Sequence, residues 1–164
     1  MKKIILSITT LFIVGSMASA QETKSSDKTF NVSIGVNAGI PVGDISDYTS
    51  SALGPDIKAE YKAADYYGVT LSAGYIKFAG KNSSGSFSAV PVLLGAKRHF
   101  SEAFYLSTEV GASFLSDDLG TVFTYGPMLG VIIKKSLDIG LKYQSATKSG
   151  AAISFFGVRA AYVF

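Results

Sequence analysis

The chain has 164 residues, 48% of them hydrophobic and 12% aromatic, with 17 glycines, no tryptophan and no cysteine. Without cysteine, neither a disulfide framework nor a lipidated cysteine anchor is possible. The formal charge of +3 falls to +1 once Lys2 and Lys3 are set aside, and no basic stripe remains, so nucleic acid is not an expected partner.

Lys2 and Lys3 form a positively charged start, Ile4 to Val14 is an apolar run too short to span a bilayer, and Ala18-Ser19-Ala20 is an A-x-A cleavage site. This predicts a signal peptide over residues 1–20 that is cleaved on secretion, leaving a mature chain of 144 residues from Gln21, enough for one domain. Gln21 to Thr29 (QETKSSDKT) is polar and unpatterned and reads as a flexible periplasmic lead. The mature chain holds no long apolar run, so it offers no membrane helix. If it enters a membrane it must do so as a closed barrel, because lipid cannot satisfy open strand edges.

From Phe30 onward the residues alternate with the period of a strand whose two faces meet different media. Phe30, Val32, Ile34, Val36, Ala38 and Ile40 share one face against Asn31, Ser33, Gly35, Asn37 and Gly39. Pro41 is expected to end this strand, with Val42 to Ser51 as a long loop. A second strand from Leu53 to Tyr61 sets Ile57, Ala59 and Tyr61 against Asp56, Lys58 and Glu60. A third sets Tyr67, Val69, Leu71, Ala73 and Tyr75 against Gly68, Thr70, Ser72 and Gly74, and a loop follows at Ala79 to Ser86. The fourth groups Val90, Val92, Leu94, Ala96 and Phe100 opposite Pro91, Leu93, Gly95, Lys97 and His99. Arg98 falls on its apolar side, where a long stem can snorkel to a membrane boundary. After a tight turn at Ser101 to Ala103, the fifth strand opposes Phe104, Leu106, Val110 and Phe114 to Ser107, Glu109, Gly111 and Ser113. The sixth runs from Phe123 to Ile133, the seventh from Leu137 to Gln144 with Asp138 and Lys142 on its polar face, and the eighth from Ala152 to Phe164 with Gly157 and Arg159 on that face.

Connections alternate long and short, with loops near 42–52, 79–86, 115–121 and 145–151 and turns near 62–66, 101–103 and 134–136. An up-and-down membrane barrel has this rhythm, with short periplasmic turns and longer external loops. Aromatics bracket the apolar bands: Phe30, Tyr61, Tyr67, Phe100, Phe104, Tyr162 and Phe164 at the turn end, and Tyr75, Phe114, Phe123, Tyr125, Tyr143 and Phe156 at the loop end. These are two interfacial girdles of the kind that lie about 25 Å apart. The expected fold is all-β, an eight-stranded antiparallel up-and-down transmembrane barrel over residues 30–164.

The segments GVNAGIPVGDISD (35–47) and AVPVLLGAKRHFSEAFYLSTEVGASF (89–114) and the closing strand carry a resemblance to small outer-membrane barrel proteins of the OmpA/OmpX type. They are similar above all to the glycine-rich barrels common in Bacteroidetes. The resemblance implies residence in a Gram-negative outer membrane, among outer-membrane lipid and lipopolysaccharide, as a monomer. It also implies insertion by periplasmic chaperones and the barrel assembly machinery, which would read the terminal aromatic strand, Tyr162 and Phe164, as an assembly signal.

The chemistry-bearing residues are the polar-face charges Lys58, Glu60, Lys97, Glu109, Lys142 and Arg159, with Asp56 and Asp138 nearer the strand ends. Buried charges must be paired, so they read as a structural network filling the lumen, with Lys97 and Glu109 positioned to pair across their shared turn. His99 is the sole histidine, beside a short turn and facing inward, with no partnered serine, so no catalytic set is expected. One histidine, no cysteine and scattered carboxylates give no metal site, and no strand-to-helix glycine motif offers a cofactor cradle. The reading is a non-enzymatic envelope protein with a structural or surface-interaction role. The alternatives are a narrow ion or small-solute channel, a lipid-modifying enzyme, or a soluble barrel with a ligand cavity.

Overall fold

The computed structural model describes residues 30–81, 85–116, 119–148 and 151–164. The expected signal peptide and periplasmic lead lie outside them, as do Asp117 and Asp118. Nine stretches of strand follow one another: β1 (Phe30–Val42), β2 (Thr49–Ala64), β3 (Tyr67–Gly74), β4 (Ile76–Gly80), β5 (Phe87–His99), β6 (Phe104–Leu115), β7 (Gly120–Ile133), β8 (Leu137–Lys148) and β9 (Ala151–Val163). All pairings are antiparallel, β3 and β4 both lie between β2 and β5, and β1 pairs with β9 from Ser33↔Val163 to Val42↔Ser154, so the sheet closes on itself.

β3 and β4 are one strand with a local interruption. Both hold a single register on β2 (Asp56↔Gly74, Leu53↔Lys77) and on β5 (Ala73↔Val92, Ile76↔Ala89). The break falls at Tyr75, across from Pro55. Tyr75 donates its N–H to the Pro55 carbonyl at 2.9 Å, but proline has no N–H to return the bond. The barrel is therefore eight-stranded, as the alternation predicts.

The two faces are inside out relative to a water-soluble protein. Ile34, Leu71, Leu94, Leu129 and Leu141 are all more than half exposed, whereas Ser33, Asn37, Thr70, Ser107 and Thr124 are buried. Such a continuous apolar exterior suits hydrocarbon rather than water. Most of the girdle aromatics are exposed at its two edges, including Tyr61, Tyr67, Phe100, Phe104 and Tyr162 at the turn end and Tyr75, Phe114, Phe123 and Phe156 at the loop end. Tyr143 lies between Tyr125 and Phe156, its ring 6.4 Å and 4.8 Å from theirs.

The loop end departs from expectation. Pro41 does not end β1: the strand continues to Val42, pairing with β9 after the ladder to β2 has stopped at Gly39↔Ala52. The long loop over 42–51 is instead a five-residue 3-10 turn, Gly43–Asp47, and β2 begins at Thr49. β8 likewise runs on to Lys148. These extensions rise past the loop-end girdle, where the outer face is no longer required to be apolar, so the period-two signal fades while the ladder persists. At the opposite end, Lys134 and Lys135 take φ of 51° and 61° in the three-residue turn, 134–136, between β7 and β8, the left-handed backbone that tight hairpin connections use.

Gly54 is the tightest backbone position: a Cβ there would overlap the Tyr75 carbonyl at the β3–β4 interruption. Gly54→Ala should therefore cost about 1–3 kcal/mol of unfolding free energy by overpacking. Gly85→Ala, where a Cβ meets open space, should be neutral; urea titration in lipid vesicles measures both.

Candidate functional site

Among the described residues, charged side chains converge in the interior, and the strand glycines make that possible. Gly95 lies between Thr70 on β3 and Glu109 on β6. A Cβ on it would sit 2.6 Å from Thr70 Oγ1 and 2.7 Å from Glu109 Cγ. Through that gap Thr70 donates to Glu109 Oε1 at 3.3 Å. Gly68 does the same for Glu60, whose side chain crosses over it.

Three groups of interactions fill the space. At the turn end, Lys97 donates to Glu60 Oε2 at 2.8 Å and His99 Nε2 lies 2.7 Å from Glu60 Oε1; the Lys97 ammonium also stands 3.9 Å above the Tyr105 ring. Further in, Arg159 spends its whole fork on the network, donating to Asp56 Oδ2 at 2.8 Å, Asp138 Oδ2 at 3.1 Å and Ser33 Oγ at 3.0 Å. Tyr105 donates to the other Asp138 oxygen at 2.5 Å. On the far side Lys58 pairs with Glu109 at 2.9 Å, and Lys142 donates to Asn37 Oδ1 at 3.2 Å.

The structure thus brings Lys58, Glu60, Lys97, Glu109, Lys142 and Arg159 into one buried interior. The Lys97–Glu109 pair does not form. Ladder geometry places Lys97 opposite Ser107 and Glu109 opposite Gly95, so each charge reaches over a glycine to another strand instead of across its own turn. Among the described residues Lys142 has no carboxylate within ion-pair distance. With Arg159 shared between Asp56 and Asp138, Lys142 supplies the charge that balances four lumen cations against four carboxylates. Tyr162 and Phe164 lie outside this interior, exposed at the turn end with rings 5.0 Å apart in an edge arrangement.

Two features escaped the sequence reading. Tyr105 shares the parity of Ser107 and Glu109, yet its neighbours Phe104 and Leu106 draw attention to the outer face. The second is an apolar layer across the loop end of the lumen, formed by Ala52, Ile76, Phe78, Ala89 and Phe155, with Phe87, Leu115 and Ile153 against it. Phe78 stacks on Phe87 at 4.7 Å and meets Phe155 edge-on at 6.0 Å. Lys142 marks the boundary between layers, its ammonium 5.9 Å from the Phe155 ring. At the turn end, by contrast, a cavity of about 460 Å³ lined by Lys58, Glu60, Lys62, Lys97, His99 and Asp138 reaches the rim residues Ser101, Glu102 and Lys135.

No protein-family model and no curated protein matches the sequence. Solved structures do. The chain is similar to Ail, the attachment invasion locus protein of Yersinia pestis, with a TM-score of 0.63 and 19% identity over 85% of this chain and 100% of that one. It is similar to Neisserial surface protein A (TM-score 0.62, 20% identity, 84% and 97% covered). It is also similar to the N-terminal barrel domain of Pseudomonas aeruginosa OprF (TM-score 0.60, 14% identity, 84% and 100% covered). The chain has the fold of these small outer-membrane β-barrels.

Removing one partner of a buried network leaves the others uncompensated. Arg159→Met should cost about 3–5 kcal/mol in vesicle unfolding, and adding Asp56→Asn and Asp138→Asn to it should restore most of the loss. An equally unstable triple variant would place the cost elsewhere than in stranded carboxylates.

Proposed function

We propose that this protein is a non-enzymatic integral outer-membrane barrel with an envelope structural or surface-interaction role, its lumen closed by its own side chains. The observation that carries the reading is the two-layer interior: a charge-balanced polar network beneath a buried aromatic layer. An ion crossing the barrel would leave paired charges and then pass the buried Phe78–Phe87–Phe155 cluster, whose rings are a poor substitute for its hydration. Against a lipid-modifying activity, His99 is buried in the lumen at the turn end and engaged by Glu60.

A surface role places the contacts at the loop end. There the Gly43–Asp47 turn presents Asp44 and Asp47 beside an exposed Tyr48, on a scaffold stiff enough to hold a loop for binding. One similar structure, Ail, is an attachment protein by name and was solved with a heparin analogue. Lipopolysaccharide on that side, and the assembly machinery acting through the Tyr162–Phe164 end during insertion, belong to the same reading.

Outer-membrane fractions should yield a band whose migration in SDS gels changes on boiling. The purified barrel should give no steady conductance in planar bilayers, and the Phe78→Ala, Phe155→Ala double variant should give measurable openings. A steady wild-type current would favour the channel, and a soluble periplasmic protein without a gel shift would overturn the membrane assignment.

A further inference from the structure

The outward face carries almost no charge. Among the described strand side chains on it only Arg98 and Lys77 are ionic, and they lie at opposite ends of the barrel. Arg98 faces Tyr67 on β3 and Leu106 on β6. Its guanidinium carbon lies 5.7 Å from the Tyr67 ring centre and 5.3 Å from that of Phe100. Both rings are more than half exposed members of the turn-end girdle. No carboxylate lies within ion-pair distance of Arg98 among the described residues.

A permanent cation at the edge of hydrocarbon is costly unless an anion meets it there. Inside the barrel Lys58, Lys97, Lys142 and Arg159 each have a polar partner; Arg98, on the outer face, is held between two rings, with no hydrogen-bond partner for its fork among the described residues. Guanidinium is also the side chain whose planar donors match a phosphate two at a time, and the aromatic pair restrains the long stem before any ligand arrives.

We propose that Arg98, Tyr67 and Phe100 form a binding site for the phosphodiester headgroup of a phospholipid in the periplasmic leaflet. The site rests on the outer-membrane reading, which sets the short turns, and with them Arg98, at the periplasmic surface. The headgroup neutralises the guanidinium, while its acyl chains run along the exposed Leu106, Val69 and Leu94 side chains above. One lipid would thus be fixed at β3–β5–β6 rather than exchanging freely with the bulk.

Native mass spectrometry of the full chain, extracted from outer-membrane fractions in mild detergent, tests this directly. Wild type should retain a bound phospholipid mass. Arg98→Gln should reduce the retained fraction about tenfold, the loss of one charge-assisted hydrogen-bonding group, and Lys77→Gln should leave it unchanged. Arg98→Lys, which keeps the charge and loses the fork, should fall between them and decides the matter if Arg98→Gln does not fold. The heat-dependent gel shift of each variant reports folding separately. A wild type that shifts but carries no lipid, or an Arg98→Lys and an Arg98→Gln protein that retain it undiminished, overturns the site and leaves the barrel reading standing. Adducts of inorganic phosphate without lipid, or a dimer in place of the lipid, overturn it too. A wild type with no gel shift strikes the membrane reading itself.

Discussion

Closure of the sheet is the constraint on which everything else depends. Hydrocarbon offers no partner for a free N–H or C=O, so a strand can cross it only if both edges are paired. Pairing β1 with β9 over ten residue pairs removes the last edge. Eight strands then enclose a lumen just wide enough for side chains, and the interior becomes a packing problem rather than an open channel. The prolines illustrate how tightly that closure is held. Pro55 and Pro127 each forfeit a ladder bond in mid-strand, and the register resumes unchanged beyond both of them.

Within that narrow space, charge and size solve the packing together. Carboxylates and ammonium groups cannot be buried singly, and in a ladder each residue faces a fixed neighbour on either side. Where the neighbour is glycine, a long side chain can cross it to reach the next strand, as Glu60 does over Gly68 and Glu109 does at Gly95. Arg159 joins strands distant in sequence, holding Asp56 on β2 and Asp138 on β8 through one guanidinium. Only an arginine has enough donors in a fixed plane to serve both and still bind Ser33.

The polarity of the interior changes along the barrel axis. Toward the short turns it is ionic, with a cavity among Glu60, Lys97 and His99. Toward the loops it holds a buried apolar, aromatic cluster. The outward parity also loses its apolar character there: Ser145 and Ser154, in phase with Tyr143 and Phe156, are polar, buried and bonded to one another at 2.8 Å. Inside-out patterning thus holds through the thickness of the hydrocarbon, and above it an apolar layer lies inside the barrel.

Alternation alone determined the strand number, the inward and outward faces, the two girdles and the inward placement of Lys58, Glu60, Lys97, Glu109, Lys142 and Arg159. Each of these follows from a period-two pattern that a one-residue slip would destroy. The extent of the strands at the loop end was not legible. Past the girdle no medium enforces alternation, so Pro41 and the serine- and threonine-rich stretch from Thr49 read as loop although the ladder continues through them. Partner choice was not legible either. Parity says that Lys97 and Glu109 point inward, but shear and the intervening glycines decide that they meet Glu60 and Lys58 instead of each other. The aromatic layer belonged to the tertiary structure for the same reason: Phe78, Phe87 and Phe155 come from separate strands, and only closure of the barrel brings them into one plane.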